Sequence, residues 1–102
     1  MNELLYFGTT RPGGVVTASE WAQFLADSVT PRFPQGLTSW DAAGQWRGTD
    51  GAITREATHV LNLVHPDDAA ADVAIAAVVA DYKGRFRQES VLRARTPACA
   101  SF

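Results

Sequence analysis

Turn-forming clusters cut this chain into six segments, and the hydrophobic period changes from segment to segment. Residues 4–9 are leucine, aromatic or β-branched apart from Gly8, and stop at Arg11-Pro12-Gly13-Gly14; they predict a strand and then a loop. Thr17-Ala18-Ser19-Glu20 has the form of a capping box, in which Thr17 accepts from the backbone of Glu20 and Glu20 reaches back. The helix it opens carries Trp21, Phe24, Leu25 and Val29 on one face. It should end near Thr30, because a residue before proline is pushed out of the helical region.

A second strand is expected over residues 37–47. Gly48-Thr49-Asp50-Gly51 follows as a hairpin loop, with Asp-Gly supplying positive φ, and a third strand spans about residues 53–64. Pro66 suits the first turn of a second helix, where Asp67 and Asp68 complement the positive dipole end. Its buried stripe reads Ile75, Val78, Val79, Tyr82 and Phe86, with fraying expected near Gly84. A last strand covers residues 89–95, before Thr96-Pro97. The order β-α-β-β-α-β predicts an α+β, ferredoxin-like domain: a four-stranded antiparallel sheet with both helices on one face.

The 102 residues suffice for one domain, residues 1–102, and leave no room for a second core. Nine basic against eleven acidic side chains argue against a nucleic-acid partner, which needs a cationic surplus to displace counterions. No apolar run is long enough to span a bilayer, so no membrane partner is expected. The N-terminus shows no leader, and a cytoplasmic location is expected. Cys99 is the only cysteine and reads as a free thiol. No phosphate loop, dinucleotide fingerprint or nucleophile elbow is present, so no cofactor is expected. His59 and His65, placed on opposite faces in this reading, would serve one metal poorly, and no metal site is expected.

Strand alternation assigns Leu5, Phe7, Leu61, Leu63 and Leu92 to the helix-covered face of the sheet. The open face then receives Leu4, Tyr6, Val60, Asn62, Val64, Val91 and Arg93. Pairing Arg47 with Ala52 in the hairpin adds Gln45, Thr54, Ala43 and Glu56 to that open face. Tyr6, Asn62 and Arg93 become neighbours, with Gln45, Trp46 or Glu56 at their margin.

Four blocks then stand out in order: Leu5-Tyr6-Phe7-Gly8; Val29-Thr30-Pro31-Arg32-Phe33-Pro34 with Gly36-Leu37-Thr38; Gly44-Gln45-Trp46; and Gln88-Glu89-Ser90-Val91-Leu92. In these the chain resembles the family catalogued as domain of unknown function 3574, over nearly its whole length. The resemblance implies a bacterial protein and supports the fold; relatives are often secreted or lipid-anchored, and the family has no settled activity.

Two functions of different class fit this pattern. One is a homodimeric module whose open face binds a partner or a small ligand, anionic or carbonyl-bearing, through Tyr6, Asn62, Arg93, Gln45 and Trp46. The other is a cofactor-independent enzyme performing proton transfer or hydrolysis on a small polar or carbonyl substrate. There His65 or Glu56 would be the base, and Tyr6 or Arg93 would polarise the substrate. Arg11, on a glycine loop before a capped helix, is a further anion-binding candidate, weaker because it stands alone. Trp21 belongs with the core, whereas Trp46 beside the hairpin suits a pocket wall or interface anchor.

Overall fold

The computed structural model describes Met1–Phe102. Its strands are β1 (Asn2–Gly8), β2 (Thr10–Arg11), β3 (Gly14–Val15), β4 (Thr38–Arg47), β5 (Ile53–Val64) and β6 (Leu92–Thr96). Helix α1 (Ala18–Phe24) runs on as a π-helical turn over Leu25–Val29, and α2 spans Ala69–Phe86. Four strands form one antiparallel sheet in the order β4-β5-β1-β6, so the first strand sits between the third and last long ones. The short pair β2 and β3 makes a separate ribbon where a plain loop was expected.

The helix faces follow from the sequence period. Thr17 caps α1 with both halves of the capping box formed, and Trp21, Phe24 and Val29 are buried. In α2 the buried stripe is Ile75, Val78, Tyr82 and Phe86, with Val79 packed beside it. These residues meet Leu5, Phe7, Leu61 and Leu63 in one core, which places both helices on the same face of the sheet. Phe7, Trp21, Phe24 and Tyr82 form its aromatic centre, with ring centroids 4.7 to 5.9 Å apart. The Tyr82 hydroxyl donates to the Gly8 carbonyl at 2.6 Å, and burial pushes its pKa well up.

Several local expectations need correction. Helix α2 starts at Ala69, not Pro66, because Asp68 takes the cap and accepts from the Ala71 amide. It runs past Gly84 without a break and ends where Arg87 adopts φ +52°. In the hairpin, Arg47 pairs with Ile53 rather than Ala52, and within the loop only Gly51 has positive φ. The loop is one residue longer than expected, which moves each β4 residue to the other side of its expected partner. Strand β6 pairs Leu5 with Arg93 and Tyr6 with Leu92, the reverse of the expected phase. Leu92 therefore lies on the open face, Arg93 lies on the helix side, and Val91 packs against the core.

Candidate functional site

Pairing fixes what the helix-free face carries. Eighteen strand positions point to it, and only Glu56 among them is charged, although charged residues make up 20% of the chain. One continuous row crosses all four strands as Trp40, Val60, Tyr6 and Leu92. Trp40, Leu92 and neighbouring Val64 are each about half exposed, while Val60 is buried without any helix above it. Asn62 is half-buried in the next row, where its amide donates to Asn2 Oδ1 (2.6 Å) and the Glu3 carbonyl (2.9 Å). Tyr6 and Asn62 thus share this face as expected, but Arg93 does not join them.

The far end of the face is built by the β4–β5 hairpin, whose tip reaches the segment after α2. There Thr49 Oγ1 donates to Glu89 at 3.1 Å. Gly44 stands opposite Glu56, and Trp46 opposite Thr54. A Cβ at Gly44 would collide with Thr58 Oγ1 and lie 3.1 Å from Trp46 Nε1, so the absent side chain leaves room for both. Thr58 Oγ1 and Trp46 Nε1 are buried, and neither has a hydrogen-bond partner in the protein. An unpaired buried polar group costs about 1–3 kcal/mol. Two such atoms lie over one glycine. Beside them the Glu56 carboxylate accepts the Thr10 amide at 2.6 Å and lies against Gly8. Glu56 thus keeps the face expected of it, while the shifted register carries Gln45, opposite Arg55, to the other side and brings Trp46, expected only at the margin, onto the open face. Thr58 went unnoticed in the sequence because a threonine in a strand carries no signal until its neighbours are known.

Arg93 is absorbed by a buried ionic cluster on the helix side. Glu3 is fully buried and accepts from Arg93 Nε (2.9 Å), Arg93 Nη2 (2.7 Å) and His65 Nε2 (3.0 Å). Asp72 meets Arg93 at 2.8 Å, and Arg95 bridges to Asp67 at 3.2 Å. Burial alone would push the Glu3 carboxyl up, but the hydrogen bonds from Arg93 and His65 outweigh it and hold it below its usual range. The Glu3 hydrogen bond in turn drives the Arg93 pKa upward. His65 is fixed at its second nitrogen by the Pro66 carbonyl, 2.7 Å away. His65 and Arg93 are therefore structural partners of Glu3, not of Glu56. Glu3 was legible: it falls in step with Leu5 and Phe7, and an inward glutamate requires cations.

His59 and His65 lie on one side of the sheet, since six residues is an even step along a strand. They are held apart by different partners, with His59 Nδ1 2.7 Å from Asp41. Arg11 is bound by both carboxylate oxygens of Glu20 (2.7 and 2.9 Å), and its guanidinium lies 5.6 Å from the Phe86 ring centre. This pairing meets the charge that an anion would need, although Arg11 does border a recess of 290 Å³. No helix is long and apolar enough to cross a membrane.

The backbone is similar to two solved structures of a phage SAM lyase, both at 14% sequence identity and over 90% of this chain. The form in complex with S-methyl-5'-thioadenosine gives a TM-score of 0.72 over 76% of its own chain. The apo form gives 0.67 over 75%. At this identity the likeness is one of fold. No curated protein sequence matches the chain. The model of a protein family of unknown function, DUF3574, matches residues 2–102, including all four blocks singled out in the sequence, and the chain belongs to that family.

Proposed function

We propose that the protein is a homodimeric binding module of ferredoxin-like architecture, which pairs its open sheet face about a two-fold axis and takes a small ligand at the hairpin end of that face. The observation that carries this reading is the chemistry of the face: one charge in eighteen positions, around a row running Trp40, Val60, Tyr6 and Leu92. Depletion of charge with enrichment of aromatic residues marks the centre of protein interfaces. In a two-fold dimer the same row meets its own copy, which suits a self-complementary apolar strip.

The ligand site in this reading is formed by Trp46, Thr58 and Glu56 rather than around Arg93. With no cation on this face, the anionic alternative gives way to a neutral carbonyl group. Its oxygen would accept from Trp46 Nε1 and the Thr58 hydroxyl, and Glu56 would accept a proton donor beside it. Support for a small-molecule site comes also from the similar phage lyase, which binds S-methyl-5'-thioadenosine.

Native mass spectrometry of the protein as purified tests both parts. The expected species is twice the chain mass, with added small-molecule mass that disappears in Thr58→Val. A monomer, or an adduct indifferent to that substitution, would overturn the reading.

A further inference from the structure

The helix side of the projecting hairpin carries a second arrangement, independent of the open face. Asp41 and His59 face each other across β4 and β5, with Asp41 Oδ1 2.7 Å from His59 Nδ1. The His59 ring stacks on Trp21 at 4.4 Å and 10°, which fixes its plane. A carboxylate can only accept, so Nδ1 carries the proton in this pair. Nε2, the other ring nitrogen, has no protein partner.

Next along the same side come Ala43 opposite Ala57, and then Gln45 opposite Arg55. The two alanines floor an open groove of 880 Å³ bordered by Asp41, Gln45 and Arg55. Arg55 forms no ion pair and no side-chain hydrogen bond, unlike Arg11, Arg85, Arg93 and Arg95. Four residues of strand separate the two ends, about 13 Å between backbones. The length of an arginine side chain narrows that gap.

We propose an acid–base site at the Asp41 end of this groove, with His59, which stands beside Asp41 just outside the groove's lining, as general base, Asp41 as the residue positioning it, and Arg55 in the groove as the anchor for an anionic group. The substrate class is a small carboxylate or phosphate ester bearing a hydroxyl, or a carbon-bound hydrogen next to a carbonyl. In the step, the Nε2 lone pair takes that proton and the bonding electron pair stays on the substrate oxygen or carbon. The imidazolium formed faces the Asp41 carboxylate, which stabilises it and holds the ring in place. Trp21 sets the ring plane from the core side, so the base is held by a rigid element.

Diethyl pyrocarbonate labelling of the intact protein, mapped by mass spectrometry, tests the assignment. His59 is expected to react about tenfold faster than His65, whose ring nitrogens are both engaged, and Asp41→Asn should slow His59 several-fold. Inorganic phosphate at millimolar concentration should protect His59 in the wild type and fail to do so in Arg55→Gln. Both substitutions lie at exposed positions, and their folding is checked by circular dichroism. An unreactive His59, or one whose rate ignores Asp41→Asn, overturns the base. Protection that is absent, or that survives Arg55→Gln, overturns the anionic substrate.

Discussion

Glu3→Gln removes one charge from the centre of the ionic cluster while keeping the side chain's volume. In the wild type, Glu3 has no exposed surface and receives three hydrogen bonds from cationic or imidazole donors within 3.0 Å. Breaking a buried ion pair by removing one partner costs roughly 3–5 kcal/mol. Arg93 keeps part of its side chain in water and retains Asp72, and glutamine still offers one acceptor oxygen. The expected loss therefore falls just below that range, about 2–3 kcal/mol. For a domain of this size that corresponds to a fall in Tm of about 10–15 °C.

The effect depends on pH in a defined direction. The folded Glu3 carboxyl titrates below its unfolded value, so its contribution is complete above about pH 4.3 and is lost as pH falls through the folded pKa. The wild type and Glu3→Gln should therefore differ at pH 7 and converge in acid. Guanidinium unfolding at both pH values, with m unchanged, measures this. A difference below about 0.5 kcal/mol at pH 7, the size of an ordinary surface change, would refute the reasoning.

Three further substitutions probe the frame around the sites. Phe24→Ala deletes a fully buried ring between Phe7 and Tyr82 and should cost about 3–5 kcal/mol by denaturant unfolding. Thr17→Ala breaks the capping box and should cost about 1 kcal/mol in the same assay. Gly44→Ala puts a methyl group against Thr58 Oγ1, so it should displace the Trp46 ring, visible as a change in tryptophan fluorescence, and destabilise by about 1–3 kcal/mol.

What the sequence made legible is the part governed by local period and capping. The element order, the α1 cap, and the core faces of β1, β5 and both helices follow from residues three, four or two apart. What it concealed depends on long-range pairing. Leu92 and Arg93 are adjacent, and period alone favours burying the leucine; the choice is reversed because Glu3, ninety residues away, holds the guanidinium inside. In the hairpin one extra loop residue moved Gln45 off the open face, since a strand's side-chain period is two. Tyr6, Asn62 and Glu56 kept their face because their assignment rests on the phase of β1 and β5, whereas Trp46 reached the open face through the same one-residue shift that removed Gln45. The Asp41–His59 contact joins two strands and rests on a register that the sequence did not determine.

The proposal that the open face joins two copies of the chain is most directly tested by sedimentation velocity at micromolar concentration, comparing the wild type with Leu92→Lys. Leu92 is half exposed at the end of the apolar row, so a lysine there leaves the core untouched but puts a charge into the two-fold contact. The expected result is a wild-type species of twice the 11.0 kDa chain mass and a folded Leu92→Lys monomer. A wild type that sediments as a monomer, or a Leu92→Lys variant that stays dimeric, would contradict it.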